Sequence, residues 1–156
     1  MWPRTHRPER LGGFSLAELV LVMAIIATVS AMAVPRFWGS LHRYRVEAAA
    51  RRMGADLVFA RETARTSGLS QAVVISRTGA TYTLAGLNHP DRPGAAYTVD
   101  LTQEYGASIH WMSLGESGTV TFNGYGIPDR GSDFVLQVGA SAKTVSLNGV
   151  SGRVIP

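Results

Sequence analysis

Residues 14–34, FSLAELVLVMAIIATVSAMAV, run for twenty-one positions with a single charge, Glu18. As a helix rising about 1.5 Å per residue this run covers about 31 Å, enough to cross a hydrocarbon core about 30 Å thick. It reads as a membrane anchor. Of 156 residues, that leaves enough chain for one compact domain and too little for two full-sized ones. Arg4, Arg7 and Arg10 stand immediately before the run. By the positive-inside rule they hold the N-terminus in the cytoplasm and send the C-terminal domain to the other side.

A basic stretch followed by an apolar one is also the pattern of a secretory signal peptide, and Ala31-Met32-Ala33 supplies a small-x-small cleavage candidate. Two details oppose that reading. The run exceeds the usual seven to fifteen or so residues of a signal peptide. Glu18 also lies near its start, and a carboxylate costs about 2.5–3.5 kcal/mol at a membrane-helix centre and less near an end. An ionisable group in such a place points to a function and a partner.

The string Gly12-Gly13-Phe14-Ser15-Leu16-Ala17-Glu18-Leu19, followed by an unbroken apolar run, resembles the class III signal of type IV prepilins and pseudopilins. The resemblance implies that a prepilin peptidase cuts between Gly13 and Phe14, that the new Phe14 amine is N-methylated, and that Glu18 and Pro35 are assembly residues. Within one helix, a cationic Phe14 amine and Glu18 form an i, i+4 pair worth a few tenths of a kcal/mol. Between neighbouring subunits in a dry bundle the same two charges neutralise each other where each alone is costly. Glu18 is therefore expected to set register between subunits. Pro35 removes a backbone donor and clashes with the carbonyl four residues back, so a kink or melt is expected there.

Beyond Pro35, Phe37, Leu41, Tyr44, Ala48, Met53, Leu57, Ala60 and Ala64 recur at helical intervals, which predicts a stalk helix with these residues on its packed face. Arginines, among them Arg43, Arg45, Arg51 and Arg52, fill the other face and read as solvated. Thr66-Ser67-Gly68 supplies the stop. After Gly68 short β-branched and aromatic runs alternate with Gly, Pro, Asn and Ser clusters. These predict strands over 72–76, 81–84, 97–101, 108–112, 119–122, 133–138, 143–147 and 153–155, with loops over 88–96 and 123–132. Asn148-Gly149 signals a two-residue hairpin. The expected architecture is α+β, one long helix on an antiparallel sheet. It divides into a leader over 1–13, an anchor over 14–34, a stalk over 35–67 and a sheet domain over 68–156.

A second resemblance lies further along. ADLVFARETA at 55–64, TFNGYG at 121–126 and the terminal Gly152-Arg153-Val154 are similar to blocks of the GspH/FimT family of minor pseudopilins and pilins. That family implies a structural subunit in the periplasmic pseudopilus of a type II secretion system, or alternatively a FimT-like minor pilin of a type IV pilus. Implied partners are other pseudopilins or pilins, prepilin peptidase and the bacterial inner membrane. DNA-binding members carry a glycine-arginine-x-arginine tail. Here Ile155 replaces the second arginine, which counts against nucleic acid.

Other chemistry is sparse. The net charge of +4 belongs to the N-terminal third, since the chain after Arg65 is about neutral, so no globular nucleic-acid-binding surface is indicated. The absence of cysteine excludes a disulfide framework, a thiolate metal site and a thiol nucleophile. His42, His89, Asp91 and His110 lack ligand spacing, and Gly124-Tyr125-Gly126 lacks the rest of a dinucleotide loop. Neither a cofactor, a metal nor an enzymatic activity is expected. Trp38 suits the membrane interface, and Trp111 is expected in the core.

Overall fold

A computed structural model describes residues 13–114 and 117–156 of the chain. The leader positions 1–12, with Arg4, Arg7 and Arg10, lie outside the described residues. The fold is α+β: one helix, α1 (Leu16–Ser67), precedes β1 (Gln71–Ser76), β2 (Thr81–His89), β3 (Arg92–Asp100), a short α2 (Leu101–Tyr105), β4 (Ser108–Met112), β5 (Ser117–Phe122), β6 (Ser132–Val138), β7 (Ser141–Leu147) and β8 (Val154–Ile155). The described residues fall into two compact units that divide between Phe37 and Trp38.

In the first unit, α1 begins behind Ser15, whose hydroxyl accepts from the Ala17 amide at 3.2 Å and satisfies one of the free donors of the first turn. The apolar side chains that follow are exposed, from Leu19 at 57% to Met32 at 78%. Of the kink or melt expected at Pro35, the melt does not occur: α1 is helical from Leu16 to Ser67. One lost donor is a local defect that the flanking turns can carry. The Pro35 side chain lies outside the described residues.

In the second unit, α1 buries Val46, Ala49, Ala50, Met53, Leu57, Ala60 and Ala64, all at 4% exposure or less. This corrects the expected face. Phe37 and Tyr44 are 67% and 73% exposed, and Val46 with the alanine pair at 49 and 50 takes their place. Alanines at 49, 50, 60 and 64 are fully buried on this face, and Met53 and Leu57 supply its large side chains. α1 stops at Gly68, whose left-handed φ of 69° is open to glycine at no steric cost.

The expected single sheet is in fact two antiparallel sheets of four strands each, in the orders β3-β2-β1-β5 and β4-β6-β7-β8. Both feed one core: Val73, Ile75, Tyr82, Leu84, Val99, Val120 and Phe122 from the first, and Ile109, Met112, Phe134, Leu136, Val145 and Leu147 from the second. Burying each large side chain of this kind contributes about 1.5–3 kcal/mol before the cost of ordering the chain. Trp111 does not join them and is 49% exposed. A register shift between Ile109 and Trp111 turns the alternation of β4 there.

Three local expectations are corrected. The segment 88–96 is largely strand: His89 pairs with Arg92 across Pro90-Asp91, and β3 lies at the sheet edge, where Pro93 removes no needed ladder donor. Leu101 belongs to α2, capped by Asp100 Oδ1, which accepts from the amides of Thr102 and Gln103 at 2.9 Å each. Asn148-Gly149 is not a two-residue turn. β7 and β8 pair through Leu147 and Val154, and Asn148 Oδ1 organises a longer loop by accepting from the amides of Val150 and Ser151.

Candidate assembly site

In the N-terminal unit Gly13 is exposed, and Phe14 is 87% exposed. Glu18 sits in the first turn of α1, one turn beyond Phe14. Phe14, Glu18, Leu19 and Val22 line a shallow hollow of about 210 Å³. The structure thus brings two of the predicted site residues, Phe14 and Glu18, to one hollow. α1 is the one described helix long and apolar enough to cross a membrane, and none of its apolar window is buried within the chain. Chemically, this face can offer apolar area and one carboxylate to a partner outside the chain.

In the second unit the largest polar feature was not foreseen. Asp56, 6% exposed, faces the sheet from α1. Its Oδ2 accepts from the Tyr82 hydroxyl at 2.6 Å and from Arg52 Nε at 3.0 Å, and its Oδ1 accepts from the Tyr97 hydroxyl at 2.8 Å. Arg52 Nη2 donates in turn to Tyr97 at 3.1 Å. A buried carboxylate is tolerated only when paired and hydrogen-bonded, and here every member has a partner. Burial first, then Asp56, pushes the Tyr82 phenol far above its ordinary value, and Tyr97 moves the same way for the same reasons. Burial alone would lower the Arg52 value, but its bond to Asp56 prevails and raises it. The i, i+4 spacing of Arg52 and Asp56 was visible as a helical pair. That two tyrosines forty-one or fewer residues away close the cluster was not. Arg52 therefore departs from the solvated face that Arg43, Arg45 and Arg51 keep.

The remaining candidates are scattered. His42 packs on Gly139 and lies 6.5 Å from the Trp38 ring. His89 stacks on Tyr97 at 5.3 Å and accepts from the Asp91 amide. His110 is exposed on β4. Among the described residues no group of three His, Cys, Asp or Glu side chains could hold a metal. The C-terminal glycines act by close approach: a Cβ on Gly124 would lie 2.4 Å from the Gly68 carbonyl, and one on Gly152 2.7 Å from that of Gly126. Arg153 follows Gly152 at the surface.

A long apolar helix that continues onto antiparallel sheets is the type IV pilin fold, and this chain has it. Solved structures similar to it include two crystal forms of the type IV minor pilin FimU of Pseudomonas aeruginosa strain PAO1. The first is 17% identical with a TM-score of 0.54, covering 72% of this chain and 88% of that one. The second is 14% identical with a TM-score of 0.51, covering 70% and 90%. No protein-family model and no curated protein matches the chain.

Proposed function

We propose that this chain is a structural subunit of a pilus-like filament, the H-type minor pseudopilin of a type II protein secretion system. Residues 1–13 are a leader removed by prepilin peptidase after Gly13, with N-methylation of Phe14. Residues 14–34 anchor the subunit in the bacterial inner membrane and pack with other pseudopilins, residues 35–67 form the stalk, and residues 68–156 lie in the periplasm. The observation that carries the reading is the apolar helix whose side chains find no cover within the chain, broken only by Glu18 beside Phe14. Apolar surface of that extent needs a bilayer or neighbouring helices. The role is assembly rather than catalysis. A second reading, a FimT-like minor pilin of a type IV pilus, is supported by the fold shared with FimU. The Gly152-Arg153 tail without its second arginine argues against nucleic acid as a partner in either case.

Glu18→Val tests this. Membrane abundance and processing should equal or slightly exceed wild type, because a charge leaves the bilayer. Crosslinking to other pseudopilins should fall, because the neighbouring Phe14 amine loses its partner. N-terminal sequencing should find Phe14 first, and Gly13→Val should block the cut. A mature end near residue 33 would instead establish a signal peptide and end the assembly reading.

A further inference from the structure

The β6–β7 hairpin turns at Gly139-Ala140, between Val138 and Ser141. Gly139 has a φ of 56°, and a Cβ there would lie 2.5 Å from His42 Nδ1, so this glycine lets the turn seat against α1. Beside the seat an open cleft of about 500 Å³ is lined from α1 by Gly39, Arg43, Val46 and Glu47 and from the hairpin by residues that include Ser141 and Lys143. Arg43 is exposed and Lys143 half-buried, and neither has a hydrogen bond or ion-pair partner among the described residues. Glu47 is already bound by Arg51 Nη2 at 2.7 Å, and that bond first, with Lys143 adding a weaker attraction at longer range, holds its carboxyl below the usual range. Against the one carboxylate of Glu47, to which Arg51 is already bound, the guanidinium of Arg43 and the ammonium of Lys143 leave the hollow with an excess of positive charge.

We infer that this cleft binds a phosphate-bearing headgroup, that of an anionic phospholipid at the membrane surface. A guanidinium can bind two phosphate oxygens side by side, and an ammonium adds a point charge that needs no fixed direction. Val46, 4% exposed, supplies an apolar floor suited to glycerol and the first acyl carbons. The volume lies in the range of small-molecule sites, far above what a simple inorganic ion fills. The source of the phosphate rests on the anchor reading. Gly39 follows residue 34 by five positions, and even a fully extended chain of that length reaches only about 18 Å. Gly39, on the lining of the cleft, is therefore joined to the end of the anchor by a short tether, and anionic lipids at a membrane surface attract clustered cations.

Lys143 is the only lysine in the chain, so acylation at that residue, followed by mass spectrometry, reports on this cleft alone. The full chain in non-ionic detergent micelles is treated with an amine-reactive acetyl ester, with and without phosphatidylglycerol. The lipid should slow Lys143 acylation about threefold or more, and Arg43→Ala at the same micelle composition should restore the rate. That comparison cancels the effect of micelle charge, and circular dichroism verifies that the variant, altered only at an exposed position, is folded. Arg43→Lys should retain part of the protection. Equal rates with and without the lipid, or protection that persists in Arg43→Ala, would overturn the site. Glycerophosphoglycerol and inorganic phosphate are run in parallel. Protection by either as strong as that by the lipid keeps the phosphate site and overturns its lipid source. Soluble dihexanoyl phosphatidylglycerol separates the two readings. If the chain leaves the micelles on detergent dilution the anchor fails, and protection of Lys143 by the soluble lipid still decides the cleft.

Discussion

Two stretches of α1 are both rich in apolar residues and meet opposite fates. Over residues 16–32 the large side chains are 46–80% exposed, whereas from Val46 to Ala64 seven apolar residues sit at 4% or less. Spacing separates them. The first stretch is apolar around its whole circumference, so no face is reserved for a sheet and the cover must come from a bilayer or other helices. The second buries one face, keeps that face small at four alanines, and exposes the others, where arginine and glutamate stand beside Val58 and Phe59. Apolar content alone does not say whether a helix belongs to a core. Its distribution around the axis does.

The sharpest test of that contrast removes the polar centre of the packed stretch. Asp56→Ala leaves Arg52 and the two tyrosine hydroxyls without their acceptor and should cost about 3–5 kcal/mol in urea unfolding of the full chain in detergent. Next, Leu57→Ala should cost about 2–5 kcal/mol, while Leu21→Ala in the exposed stretch should leave unfolding of the sheet domain unchanged. Equal effects would erase the distinction between the two stretches. A smaller effect comes from pH. An unfolded tyrosine ionises near pH 10, about its ordinary value, while Tyr82 in the folded chain is held far above it. Above that pH the unfolded state therefore binds fewer protons than the folded one. Stability should be full below about pH 10 and then fall by up to about 1.4 kcal/mol per pH unit, and Tyr82→Phe should flatten the fall. The smallest change is a gain. Gly39 is helical and exposed, with nothing within 4 Å of a Cβ, so Gly39→Ala should stabilise by about 0.5–1 kcal/mol, seen as a small rise in melting temperature.

Much of the fold was legible because local chemistry and final structure agree. β4 occupies the predicted 108–112, and β1, β5, β6 and β7 extend their predicted runs by one or two residues. The end of α1 at Ser67 was written in the glycine that follows. The hairpin between β2 and β3 was missed because Pro90, Asp91, Pro93 and Gly94 read as a loop. An edge position allows proline inside a strand, and edge position is not a local property. α2 was missed because five residues are too few for a helical period, although Asp100 and Gly106 bracket them as caps. The division into two sheets depends on which strands pair, and no single strand carries that. At the candidate site Phe14 and Glu18 came from the resemblance of residues 12–19 to the class III signal, and the structure places both on one hollow. The Asp56 cluster was not, because its partners arrive from β2 and β3 only after the chain has folded.

The Asp56 cluster also has a mechanical consequence. Tyr82 and Tyr97 lie on two hydrogen-bonded neighbouring strands, and both are fastened to a single carboxylate on α1. A pull along the packed part of the helix would load those two bonds and the Arg52 contact together, in shear, and none could slip by one turn without all releasing. Small alanines elsewhere along the interface offer little resistance to sliding, so grip is concentrated near the middle of the packed stretch. In single-molecule pulling between a handle at residue 38 and one at residue 156, Tyr82→Phe with Tyr97→Phe should yield at distinctly lower force. Their equilibrium stability should fall as well, because the buried Asp56 carboxylate keeps only its Arg52 donor. Strength under load and stability at rest would then depend on the same carboxylate.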